Sequence, residues 1–191
     1  ESPTRVEARL LTAPAGSRAV GATTPFEIGL TPAAASGSWS VDLAIASNDP
    51  SSPYRFTLNG TIAPSPDIVV LGPTGTTVQS GGEIDLGSRL LGSQAEVTLT
   101  VRNDGQGDLT LGTPATTLDQ ESGVSASVTA PSSSVLRAGE TATFDVRFTP
   151  DAAGSFSLRV SVASDDPDEP NYRLLLSGTA TEESFAQLVV E

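Results

Sequence analysis

Apolar residues along this chain fall on alternate positions, in short runs broken by turn residues. Ala142, Phe144, Val146 and Phe148 are separated by Thr143, Asp145 and Arg147. The same period of two runs through Trp39/Val41/Leu43/Ile45, Val97/Leu99/Val101, Val124/Ala126/Val128, Phe156/Leu158/Val160/Val162 and Tyr172/Leu174/Leu176. Successive side chains of an extended backbone leave on opposite faces, so each run is a strand with one apolar face and one wet face. Helical spacing is not sustained anywhere. Between the runs stand Asn103-Asp104-Gly105, Arg137-Ala138-Gly139 and Asp151-Ala152-Ala153-Gly154, which carry the chemistry of tight turns. A strand with one greasy face must bury it against a second sheet. The composition, 37% hydrophobic and 17% charged with 18 Gly and 14 Pro, supplies both a core and many turns. The predicted architecture is two antiparallel sheets packed face to face.

The pattern also repeats at domain length. Phe26-Glu27-Ile28-Gly29-Leu30-Thr31-Pro32 returns as Phe144-Asp145-Val146-Arg147-Phe148-Thr149-Pro150, an offset of 144 − 26 = 118. Gly37-Ser38-Trp39 matches Gly154-Ser155-Phe156, and Ser47-Asn48-Asp49-Pro50 matches Ser164-Asp165-Asp166-Pro167. Tyr54 to Thr61 matches Tyr172 to Thr179. Such a period is far too long for a solenoid turn and close to one sandwich domain. The fold class predicted is all-β, with tandem immunoglobulin-like antiparallel β-sandwich domains. Residues 65–181 read as a complete repeat, with strands near 67–71, 83–87, 94–103, 108–112, 123–129, 134–137, 141–149, 155–164 and 171–179. The stretches Gly87 to Gly92 and Gly105 to Gly112 read as hairpin turns. Residues 1–64 match only the latter strands of that repeat, from about 121 onward, and read as an incomplete sandwich. Residues 182–191 read as the start of a further repeat or a linker strand, because Gln187-Leu188-Val189-Val190 resembles Asp67-Ile68-Val69-Val70. A half-sandwich leaves an apolar face and unpaired edges. Its missing strands are expected from other repeats of the same polypeptide or from neighbouring copies. The segment as a whole is expected to be part of a longer protein.

Charge and missing residue types narrow the chemistry. The chain has 191 residues, no Cys, His or Met, and a net charge of −13. All ten of its cations are Arg, and they are scattered. Nucleic acid is therefore not an expected partner, because phosphate binding needs clustered cations. Membrane insertion is not expected of this segment, since no apolar run is long enough to span a bilayer. Without Lys there is no Lys–Asn isopeptide staple, and without Cys no disulfide or thiolate. A Ser-His-Asp arrangement is impossible, and the usual general base is missing. No pattern converges two carboxylates on a pocket for glycosidase chemistry. The chain reads as a non-enzyme with no catalytic residues and no cofactor.

A set of short blocks carries a resemblance. Ile84-Asp85-Leu86-Gly87, Gly92-Ser93, Val97 to Gly105, Gly107-Asp108-Leu109-Thr110-Leu111, Phe144 to Pro150, Ser164-Asp165-Asp166-Pro167 and Gly178-Thr179 together resemble the choice-of-anchor D repeats of bacterial secreted proteins. These are relatives of the hydin and ASH immunoglobulin-like domains. The resemblance implies export and surface display, with repeats strung into stalks, and it implies no catalytic residue.

Three local features invite a binding role. Asp165, Asp166, Asp168 and Glu169 place four carboxylates in five residues, a set that hard cations such as calcium favour. The same loop also reads as a solvated turn, with Pro167 fixing φ and an Asp closing an Asx-turn. Trp39, the single Trp, reads as a core ring by its place in the inward set, or as a stacking platform if exposed. As core rings, Phe144 and Phe26 are each expected to cost about 3–5 kcal/mol on truncation to Ala. Asn59-Gly60-Thr61 fits a glycosylation pattern but ends a strand, and is set aside.

The function expected is a structural spacer of a bacterial extracellular or cell-surface protein, a stalk, filament or sheath component acting by domain stacking and self-association. The alternative is an adhesin-type module whose sandwich-end loops hold a surface glycan or protein ligand. A cytoskeletal adaptor of the hydin type fits less well with the missing Lys and Cys and the acidic surface.

Overall fold

The computed structural model describes residues 6–34 and 36–183. It forms two compact units, Glu1–Pro64 and Ser65–Glu191. The strand expected at Gln187 to Val190 lies outside the described residues. Among the described residues every regular element is a strand.

The first unit holds two hairpins. Strand β1 (Val6–Thr12) pairs antiparallel with β2 (Glu27–Pro32), and β3 (Gly37–Ile45) pairs antiparallel with β4 (Tyr54–Ile62).

The second unit is a sandwich of two five-stranded sheets. Its strands are β5 (Ile68–Leu71), β6 (Thr77–Val78), β7 (Glu83–Leu90), β8 (Ala95–Asn103), β9 (Leu109–Ser122), β10 (Val124–Val128), β11 (Val135–Leu136), β12 (Thr141–Pro150), β13 (Gly154–Ser164) and β14 (Asn171–Thr181). One sheet runs β10-β12-β8-β5-β6 and the other β11-β9-β13-β14-β7. The alternating runs land where their period puts them: Leu99, Val101, Phe144 and Val146 of the first sheet and Leu158, Val160, Leu174 and Leu176 of the second are all buried in one core. Phe148 and Phe156 meet across the sheets with ring centroids 5.8 Å apart.

Three departures from the predicted strands have physical causes. The pairing of β7 with β14 is parallel, with Leu175 opposite Glu83 and Leu176 opposite Ile84, while the other ladders are antiparallel. The chain leaves β5 in the first sheet and crosses to the second, so β7 arrives along β14 in the same direction and covers its edge. Gly87, expected in a turn, lies inside β7, and the turn comes after it at Leu91 and Gly92. Strand β9 does not stop at Gly112 but continues through Pro114 to Ser122. Its register on β13 shifts between Val162, opposite Thr116, and Ser164, opposite Leu111. Pro114 falls in that irregular stretch, where its missing N–H breaks no ladder bond. Gly123, at φ 66°, then turns β9 of one sheet directly into β10 of the other.

The two units share one register. In β1·β2, Val6 faces Pro32 and Ala8 faces Leu30; in β10·β12, Val124 faces Pro150 and Ala126 faces Phe148. In β3·β4, Trp39 faces Gly60; in β13·β14, Phe156 faces Gly178. Burial differs sharply. Tyr172 is 2% exposed and its counterpart Tyr54 69%, while Phe148 is 2% exposed and Leu30 38%. Residues 1–64 contribute no described strands equivalent to β5–β9, so the inward side chains of the first unit face an open cavity of about 300 Å³ lined by Ala8, Phe26, Ile28, Leu43 and Ile45 among others.

This contrast corrects the equal costs expected for the two phenylalanines. Phe144 is 1% exposed, and Phe144→Ala should cost about 3–5 kcal/mol. Phe26 is only half-buried, so Phe26→Ala should cost roughly 1–2 kcal/mol, on the scale of partial apolar burial. Urea denaturation of the two variants, followed by a probe in the unit concerned, checks the difference.

Candidate functional site

The loop from Asp165 to Pro170 joins β13 to β14, and its Pro and Asp residues do make a turn. Asp166 Oδ1 accepts the amides of Asp168 at 2.9 Å and Glu169 at 3.3 Å, an Asx-turn. Most of the turn is exposed, with Asp166 the buried exception. Asp166 is 3% exposed, and its other oxygen accepts the Ile68 N–H at 2.8 Å across 98 residues of sequence. Asp165 Oδ1 accepts the Thr110 N–H at 2.7 Å, while the Asp165 N–H donates to Thr110 O at 3.0 Å. Two of the four predicted carboxylates are thus spent on backbone amides: Asp166 pins the first strand of the unit, and Asp165 pins β9. Asp168 is exposed and Glu169 half-exposed beside them. Among the described residues no group of three or more acidic side chains is placed to hold a metal ion.

The loop is electrostatically tense. Asp67 and Glu169 are both raised from their ordinary values, chiefly by partial burial and then by repulsion from neighbouring carboxylates, including Asp166 and Asp168. Asp104, close by, is lowered because Arg102 hydrogen-bonds it.

Asn103 is a second buried polar residue that bonds the segment ahead of β5. It is fully buried, and its Oδ1 accepts the amides of Gly105 at 2.9 Å and Asp67 at 3.2 Å. Its Nδ2 donates to Gly107 O at 2.7 Å and Leu136 O at 2.9 Å. One side chain therefore ties β8, its following turn, the start of β5 and β11 together. As part of Asn103-Asp104-Gly105 it reads as a local turn, and nothing local marks contacts 33 and 36 residues away. For Asp166 a signal existed. Asp49 holds its place in the shorter loop of the first unit, while Asp165 becomes Asn48 and Asp168 and Glu169 become Ser51 and Ser52, so the carboxylate kept in both copies is the buried one that bonds Ile68.

Trp39 lies on the inner face of β3, half-buried, with its ring over Gly60; a Cβ there would stand 2.6 Å from the ring. Gly178 makes the same room for Phe156, at 2.5 Å. Each glycine is thus the floor beneath a cross-strand aromatic, and Asn59-Gly60-Thr61 lies within the β3·β4 ladder. The outer face of the second sheet bears a shallow depression lined by Glu83, Asp85, Ser122, Ser157, Ser177 and Thr179. Ser177 donates to Glu83 within it. Among the described residues of the second unit the exposed large apolar side chains are aliphatic, so no aromatic platform stands on its loops.

A closed sandwich whose loop acids brace its own strands is an immunoglobulin-like scaffold, a non-catalytic fold. Residues 80–179 match the HYDIN/CFA65/VesB-like, Ig-like domain family, and the chain belongs to that family. Similar solved structures include the secreted serine protease VesC from Vibrio cholerae, at 20% identity over 50% of this chain and 21% of that one, TM-score 0.43. The ASH / PapD-like domain of human CEP192 is 17% identical over 63% of this chain and 89% of that one, TM-score 0.41. Domains 4 and 5 of the S-layer protein SbsC are 16% identical over 92% and 70%, TM-score 0.35. The chain thus spans about a fifth of the length of the Vibrio protease it matches. No curated protein matches it. No helix among the described residues is long and apolar enough to cross a membrane.

Asp166→Ala should cost roughly 1–3 kcal/mol by stranding buried amides, whereas Asp168→Ala should fall within about 0.5 kcal/mol of the parent, measured by thermal unfolding. Glu169→Gln should do the opposite of Asp166→Ala. A carboxyl raised in the folded state stabilises fully below its unfolded value and loses that contribution as pH rises through its folded value. The Gln variant should therefore melt above the parent at pH 7, with the gain fading as the pH is lowered through the carboxylate range. Calorimetric titration with calcium should give no heat of binding.

Proposed function

We propose that this chain is a structural spacer segment of a bacterial extracellular or cell-surface protein, of the choice-of-anchor D kind, that works by the stacking of successive repeats rather than by chemistry. The observation that carries this reading is the use made of the loop acids. Asp165 and Asp166, the groups best suited to bind or catalyse, are hydrogen-bonded to the amides of Thr110 and Ile68 and hold strands in place. The family membership supports it, as does a sequence without His or Cys, which withholds the usual general base and the thiol nucleophile. Rigidity between repeats is supported by the junction Ala63-Pro64-Ser65-Pro66, whose two prolines restrict bending. The functional quantities are then reach and stiffness. The partners are other repeats of the same polypeptide or neighbouring copies.

Electron microscopy of the intact protein should show beaded stalks or ordered polymers with a repeat of one sandwich. Isolated globular particles that bind a defined ligand on a glycan array would favour an adhesin instead.

A further inference from the structure

The internal repeat supplies latter-half strands twice, as β1–β4 and as β10 with β12–β14, but first-half strands once, as β5–β9. Each service that the first half performs for the complete unit is unmet among residues 6–62. Val146, Val160 and Val162 are fully buried, whereas their counterparts Ile28, Leu43 and Ile45 line an open cavity. Tyr172 donates its hydroxyl to Val78 O, whereas Tyr54 is exposed. Asp49 makes the same turn as Asp166, its Oδ1 accepting the Ser51 N–H at 2.7 Å. Yet among the described residues no strand amide meets it as the Ile68 N–H meets Asp166. Strand β2 offers, on the side away from β1, the edge along which β12 pairs with β8, where Phe144 faces Leu99 and Val146 faces Val97.

We propose that the first unit is an acceptor for a first-half segment of this same repeat type, carried by a repeat other than residues 65–181. The segment adds a β8-like strand to the free edge of β2, lays alternate aliphatic side chains over the open face, and brings an amide to Asp49 and a carbonyl to Tyr54. Glu27, which also accepts the Thr12 hydroxyl at 2.9 Å, stands where Asp145 accepts the Thr98 hydroxyl at 2.7 Å, so an outward Thr of the added strand meets an acceptor there, whereas Gly29 replaces the Arg147 that pairs with Glu96. A folded second copy of residues 1–191 cannot serve as donor, because its one first half is already committed, with Leu99 and Val101 fully buried. The inference does not depend on whether the repeats build a stalk.

Trp39, the single Trp, lies on the accepting face and reports its closure. Since Val124 and Val6 hold the same register position, residues 65–123 are joined directly ahead of Val6, leaving the remainder through Glu191 unchanged. The expected result is a blue shift of Trp39 emission, loss of dye binding to exposed apolar surface, and roughly tenfold or slower amide exchange across β2–β4. Leu43→Asp in the extended chain should abolish all three while β12–β14 keep their protection. Unchanged emission and exchange in β2–β4, with β12–β14 intact, would overturn the proposal. So would concentration-dependent dimerisation of the 191-residue chain that itself buries Trp39, since a second copy would then be the occupant. Should the extended chain aggregate, the 191-residue protein is titrated with a synthetic peptide of residues 94–104. A saturable blue shift supports the acceptor, and none at millimolar peptide refutes it.

Discussion

A β-sheet with one apolar face cannot stand alone in water, and every feature of this chain follows from how that face is or is not covered. In the second unit, burial of alternate side chains from two sheets supplies the favourable term, and Phe144, Phe148, Phe156 and Tyr172 supply its bulk. The same alternation in the first unit has only two two-stranded hairpins lining one open cavity, and chemically similar residues are left half-exposed. Sequence identity of type is therefore not identity of burial; what differs is the presence of five strands contributed by residues 68–122.

Polar groups then decide how precisely the two layers sit. Asn103 and Asp166 are buried and fully hydrogen-bonded, and both reach the start of β5. A short four-residue strand at the beginning of a unit has little ladder of its own, so side-chain bonds to Asp67 and Ile68 stand in for the missing length. Around this strand Asp67 and Glu169 are both raised from their ordinary values, first by partial burial and then by the neighbouring carboxylates. Two of the four acids in the Asp165 to Pro170 loop, Asp165 and Asp166, stand where backbone amides need acceptors.

Strand positions and the core set were legible in the sequence because each depends on a period of two. The parallel pairing of β7 was not, since alternation says which face a residue takes and nothing about which neighbour its strand finds. The extent of β9 was hidden by Pro114, which breaks strands except where a register shift spares its amide. The role of Asp166 was half-visible. The loop's acids suggested a turn or a cation; the persistence of Asp49 singles out Asp166 but not Asp165, which bonds Thr110 and has Asn48 as its counterpart. Asn103 was hidden because its partners are remote.

The parallel ladder between β7 and β14 has a mechanical consequence. These strands are the third and the last of the second unit and point the same way, so once β5 and β6 are drawn off a pull on its two ends drives them past each other lengthwise. Their hydrogen bonds are then loaded together, and none can yield first as in the opening of a zipper. A module built this way resists stretching along the chain far better than peeling from its side.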